Sequence, residues 1–257
     1  MKEFWEELWA RERNFMEEGG SFRHGASFVA VSSIASQFYC EYKVENMFTL
    51  GEIPTEAKDT GTALHDELLP TQEITKEKFV SLVSERKASL AVLRVWGSVG
   101  GLKIIGMPDH IIWKEGRPIW LVELKTTRGD TTPLWEDQEN QARIYGLLLD
   151  LMGFDCTEMK IAVIRLKTEE LPPEKKVEWI VKASRRLLED KVGEFESEYP
   201  GTVKVHVLEH ERSLAARAVD LKAGYWLGSR EPTPTSSVAR CRACEYNQVC
   251  QKSLVIH

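Results

Sequence analysis

Apolar positions along the 257-residue chain change period several times, and each change predicts an element. Phe4, Trp5, Leu8, Trp9 and Phe15 fall on one side of a helix over residues 1–18, which Gly19-Gly20 ends. Ser32-Ser33-Ile34 predicts the cap of a second helix that carries Cys40. Residues 61–69 read as a short helix stopped by Pro70, and residues 75–95 as a longer one ended by the glycines of 97–101. The period then drops to two. Residues 103–112 and 119–126 read as strands joined by a turn over 114–118, a hairpin. Helical spacing returns over 135–152, with Ile144, Leu147, Leu148 and Leu151 as the stripe and Gly153 in the C-terminal position. A strand over 159–166, a long helix over 174–198, a strand over 202–208 and a helix over 213–226 complete the pattern, before a Pro/Ser/Thr loop over 231–237. Strands flanked by helices predict an α/β fold with a mixed central sheet.

The hairpin carries the first chemistry. Pro108-Asp109 is followed, after thirteen residues, by Glu123-Leu124-Lys125. Alternation puts Glu123 and Lys125 on one face of their strand and Val122 and Leu124 on the other, and hairpin pairing brings Asp109 towards the first face. Two carboxylates bind Mg2+ or Mn2+ through oxygen and leave positions open for water and phosphate. Such an ion neutralises charge developing on a phosphate and yields a nucleophilic water near neutral pH. An E-x-K on a strand is ordinarily a solvated ion pair. Here it is embedded in Ile119, Trp120, Leu121, Val122 and Leu124, a run typical of a central strand, where a solvated pair is out of place. His65, on the short helix, is a candidate third ligand. Gln141 and Tyr145, four apart on the 135–152 helix, are hydrogen-bonding candidates for a phosphate or a base.

Cysteines supply a second signal. Cys241, Cys244 and Cys250 lie close together near the C-terminus, Cys40 about two hundred residues earlier, and Cys156 stands apart as a buried apolar residue. Short C-x-x-C spacing without a secretory leader argues for metal rather than disulfides, and four thiolates hold either zinc or an iron-sulfur cluster.

His65, Pro108-Asp109, Glu123-x-Lys125 and Gln141-x-x-x-Tyr145, in that order, resemble the RecB-like branch of the PD-(D/E)xK nucleases. The resemblance implies a restriction-endonuclease-like core, a metal held by His65, Asp109, Glu123 and the Leu124 carbonyl, a catalytic Lys125, and DNA contacts from Gln141 and Tyr145. One distant cysteine with a C-terminal trio is similar to the 4Fe-4S arrangement of AddB-type and CRISPR-associated members. It implies a cluster on Cys40, Cys241, Cys244 and Cys250 in a helical lobe that joins the N- and C-terminal segments. On that reading the chain is one nuclease domain, with a core over about 55–210 and the lobe over 20–54 and 211–257. A chain of this size without a G-x-x-x-x-G-K-[ST] motor motif resembles most the CRISPR-associated Cas four exonucleases. That implies single-strand cleavage, often from a 5′ end, with the Cas integrase complex as a partner. A viral or repair nuclease would carry the same residues.

Composition adds little. A formal charge of −6 does not advertise nucleic-acid binding, so local patches are expected instead: Lys182, Arg185 and Arg186; Arg212, Arg217 and Lys222; Arg230, Arg240 and Arg242. No apolar run is long enough for a membrane span and the first residues are acidic, so a cytoplasmic protein is expected, free to form a homo-oligomer. Two other classes stay open: an inactive DNA-binding platform, and a zinc-stapled phosphoesterase with His65 or His110 in a binuclear site.

Overall fold

The computed structural model describes residues 2–54, 75–85, 87–167 and 176–255. The helix expected over 61–69, with His65, lies outside these residues. Helix α1 (Lys2–Glu18) buries Trp5, Leu8 and Phe15, as its spacing predicts. Strand β1 (Val29–Ala30) leads into α2 (Val31–Tyr39) and α3 (Glu41–Leu50), which meet at Cys40. Ala30 rather than a serine precedes α2, and no side chain caps it. Val31, Ile34, Ala35 and Phe38 form its buried side.

The helix expected over 75–95 is shorter. Thr75 caps α4 (Lys76–Val83), accepting from the Lys78 N–H at 3.3 Å. Two strands, β2 (Ser89–Ala91) and β3 (Val95–Val99), follow. The strand expected over 103–112 is also two elements, β4 (Leu102–Gly106) and β5 (His110–Lys114), broken at Met107-Pro108-Asp109. Pro108 has no N–H to give to a ladder, and here the chain passes from one sheet to another. A three-stranded sheet has the order β1-β4-β3. The main sheet has the order β2-β5-β6-β7-β8, where β6 is Arg117–Thr127, β7 Lys160–Lys167 and β8 Val203–Glu209. Glu115 and Gly116 turn from β5 into β6 with φ of 53° and 79°, the left-handed pair that a two-residue hairpin requires. The β6–β7 pair is parallel and the other pairs of the main sheet are antiparallel, so it is mixed as expected.

Helices cover both faces of the main sheet. On one lies α5 (Glu136–Met152), ended by Gly153 in the left-handed conformation, together with α1, α2 and α8 (Arg212–Trp226). On the other, Val122, Ala162, Ile164 and Leu166 pack against α6 (Lys176–Leu188) and α7 (Val192–Glu198). These last two were expected as one helix. Asp190, at φ 56°, breaks it and lets α7 fold back. Helix α9 (Val238–Ala243) carries Cys241.

Candidate active site

The break at 107–109 sets the site. His110 pairs with Val122, so Asp109 stands at the entry to β5 beside Glu123. The Leu124 N–H donates to Asp109 Oδ2 at 2.6 Å, which ties the first carboxylate to the strand carrying the second. Asp109 is 6% and Glu123 2% exposed. Val122 packs in the cluster under α6, while Leu121 belongs to the one under α5. Alternation therefore turns Glu123 and Lys125 towards α5, and Gln141 and Tyr145 on that helix reach them.

Gln141 is the hinge of this group. Lys125 Nζ donates to its Oε1 at 2.8 Å, and its Nε2 donates to Glu123 Oε1 at 2.8 Å and to the Tyr145 hydroxyl at 3.2 Å. Lysine is donor-only, so this pairing fixes which way the amide faces. Lys125 Nζ also lies 2.9 Å from Glu123 Oε1. Burial alone would lower the Lys125 pKa, but the charges of Glu123 and Asp109 outweigh it and hold the ammonium above its ordinary range. Burial and the neighbouring Glu123 push the Tyr145 phenol up, so its hydroxyl keeps its proton. Gly106 is required here: a Cβ on it would stand 2.5 Å from the Tyr145 ring and 2.8 Å from Val31.

The structure thus brings Asp109, Glu123, Lys125, Gln141 and Tyr145 together. Buried carboxylates offer hard oxygen donors, a set that fits Mg2+ or Mn2+ better than a softer metal. His65, expected as a third ligand, lies outside the described residues. His110 does not join the set, because its partner Val122 faces α6, and the binuclear reading loses that residue. Sequence reasoning missed two neighbours. Arg165, 3% exposed, pairs with Lys125 across the parallel strands, and Trp135, 50% exposed, precedes α5. The signal was an arginine in the middle of an apolar strand, which is costly without a reason.

The four cysteines meet elsewhere. Cys40, Cys241, Cys244 and Cys250 line one pocket, with Tyr39, Lys43 and Arg240 among its other walls. The Thr235 N–H points at Cys40 Sγ, 3.4 Å away. Burial, Glu245 and Cys40 push the Cys244 thiol up against the pull of a backbone hydrogen bond at Tyr246. Among the described residues no group of three or more His, Cys, Asp or Glu is gathered closely enough to hold a metal ion, so the cluster expected on the four cysteines is not shown. Cys156 is buried apart from the pocket, as expected, and its thiol is pushed up to about 12, chiefly by burial.

Around the pocket, polar contacts fasten the C-terminal segment to α2 and α3. Glu41, 2% exposed, accepts both Arg230 NH groups at 2.5 and 2.6 Å and the Thr233 N–H at 2.7 Å, with Lys222 Nζ at 3.6 Å. Arg240 donates to the Phe38 and Tyr39 carbonyls, and the Tyr39 hydroxyl to the Arg240 carbonyl. The Tyr246 hydroxyl donates to the Gly51 carbonyl at 2.8 Å. Lys222, Arg230 and Arg240, expected as members of DNA-binding patches, are therefore engaged inside the fold. Lys182 and Arg186 are paired with Glu198 on the α6 and α7 side.

No helix among the described residues is long and apolar enough to cross a membrane. No curated protein matches the chain. A solved structure titled "Crystal structure of SSO0001" superposes with a TM-score of 0.45 at 14% identity, over 89% of this chain and 88% of that one. The model of the PD-(D/E)XK nuclease superfamily matches residues 41–251, which include both carboxylates, the lysine and all but the first of the four pocket cysteines. The superfamily's nucleases are phosphodiester hydrolases that use Mg2+ or Mn2+, and this chain belongs to the PD-(D/E)XK nuclease superfamily.

Proposed function

We propose that the chain is a RecB-like, metal-dependent deoxyribonuclease that degrades single-stranded DNA from a 5′ end, with a 4Fe-4S cluster on Cys40, Cys241, Cys244 and Cys250. The observation that carries the nuclease reading is the hydrogen-bonded group of Asp109, Glu123, Lys125 and Gln141. Asp109, Glu123 and the Leu124 carbonyl would hold the ion, with His65 as the further ligand that the family resemblance implies. When bound, Mg2+ or Mn2+ neutralises charge on the scissile phosphate and supplies a nucleophilic water near neutral pH. Lys125 would donate to the oxygen on which charge accumulates, where a cation already fixed by Glu123 and Gln141 needs little reorganisation. Gln141 locks Lys125 and Glu123 in register; its amide is engaged by those two side chains and by Tyr145, itself 4% exposed, so the DNA contacts expected of Gln141 and Tyr145 would require them to exchange partners.

The cluster reading is supported by four thiols that line one pocket and by the N–H directed at Cys40 Sγ. Such a cluster ties α2 and α3 to the C-terminal segment. Its cellular role, on the resemblance of the whole motif set, is the trimming of new CRISPR spacers beside the Cas integrase, as a cytoplasmic protein.

End-labelled single-stranded DNA tests the activity. With Mn2+ the protein should shorten the strand from its 5′ end, and a chelator should stop it. A strand that stays intact, or is cut equally with the ion chelated, contradicts the proposal. Protein prepared without oxygen should be yellow-brown and contain iron and sulfide; a colourless protein with stoichiometric zinc would sink the cluster.

A further inference from the structure

We propose that Trp135 is a stacking platform for one base of the single-stranded substrate, held in place from beneath by Arg165. The inference rests on the nuclease reading and deepens it. Six of the eight tryptophans are buried, and Trp9 is half-buried and stacked on Trp5 at 5.6 Å. Trp135 alone is half exposed. It also stands next to the reacting centre. Arg165 pairs with Lys125 in the parallel register, so the two side chains leave the same face of neighbouring strands, about 4.8 Å apart. The Trp135 ring lies over the Arg165 guanidinium, with 5.9 Å from its carbon to the ring centroid. From Trp135 to Gln141 the helix rises about 9 Å, the span of two to three stacked nucleotides at roughly 3.4 Å each.

The loop that presents the ring is braced. The Gly129 N–H donates to Thr127 Oγ1 and the Thr132 N–H to Asp130 Oδ1. Arg165 donates to the Pro133 carbonyl, two residues before the tryptophan. Its Nε has no hydrogen-bond partner among the described residues although the side chain is 3% exposed. A methionine or leucine would fill this place in the strand at lower cost, because a buried guanidinium with few partners is expensive. Its presence fits a positioning role: the cation lies over the indole at cation–π distance, and the half-exposed ring is left for a base. Base stacking on an aromatic is tolerant of sequence and requires an unpaired strand, which fits a nuclease that selects single strands rather than a sequence.

The test uses the full-length protein, a dye-labelled single-stranded oligonucleotide and a chelator that prevents cleavage, with affinity read by anisotropy. Trp135→Ala should raise Kd at least about fivefold, the lower end of what one stacked base contributes, while Trp135→Phe should recover most of the loss. A single abasic position walked along the oligonucleotide should weaken binding to the parent at one place, and that penalty should vanish in Trp135→Ala and in Arg165→Met. A ring that only supports the fold would leave the abasic penalty in place. Equal Kd values for parent and Trp135→Ala, or an abasic penalty unchanged by the substitution, would overturn the platform while leaving the nuclease reading intact. A parent that binds duplex but not single strands would overturn both. An inactive parent that still shows the Trp135-dependent abasic penalty would overturn the nuclease reading alone.

Discussion

The carboxylate site and the thiol pocket are assembled in opposite ways. The described part of the first is drawn from residues 109–145, a hairpin and one helix packed across it, and its contacts follow from a period of two on β6 and a spacing of four on α5. The second joins Cys40 to residues some two hundred positions later, and Glu41 meets Arg230 across 189 residues. A local site is sensitive to which atoms it presents. A remote one is sensitive to whether the chain stays closed. Substitutions in the first should therefore cost activity more than stability, and in the second stability before activity.

The largest expected effect is at the carboxylates. Glu123→Gln should slow cleavage on the order of a thousandfold, as loss of a fixed ligand or proton-transfer group does, with the melting temperature little changed; a similar loss of both would place Glu123 in the fold instead. Cys241→Ala should remove the colour of the proposed cluster and lower the melting temperature by about 10–20 °C, since a link closing some two hundred residues constrains the unfolded chain by roughly 5 kcal/mol. Unchanged melting would show that the pocket closes without it.

Glu41→Gln takes the counter-charge from Arg230 and Lys222 and should cost about 2 kcal/mol. The same residue sets an acid dependence. Burial raises its pKa, but Arg230, the Thr233 N–H and Lys222 outweigh that and hold it below the ordinary 4.5. Its contribution is then complete above that value and lost as pH falls through the lowered one. The stability gap between parent and Glu41→Gln should shrink on acidification below about 4.5, as chemical denaturation at several pH values would show; a constant gap would contradict the ion pair. The smallest effect expected is Gln141→Ala, roughly tenfold in rate, about 1.4 kcal/mol. Its turnover should fall more than its affinity for DNA; the reverse would make Gln141 a binding group only.

The same contrast explains what was legible in the chain. Asp109, Glu123 and Lys125 could be read because alternation alone decides their face, and the apolar run around Glu123 marks a central strand. The mixed sheet, α1, α5 and α8 followed from periodicity. The breaks did not: Pro108 ends one strand and admits another in a different sheet, and β2 and β3 are too short to show a period. Asp190 enters the left-handed region without a glycine to announce it. At the thiol pocket the cysteine spacing was readable, but the clamp was not, since nothing local pairs Glu41 with Arg230 or Arg240 with the Phe38 carbonyl. Arg230 and Arg240 looked like surface charge for that reason.

One comparison tests the central claim most directly: degradation of single-stranded DNA with Mn2+ by the parent and by Lys125→Ala, both checked to melt alike. Because Lys125 is fastened between Glu123 and Gln141, its loss should reduce the rate by at least about a hundredfold. A Lys125→Ala protein that degrades DNA as fast as the parent would contradict the assignment of this group as the nuclease centre.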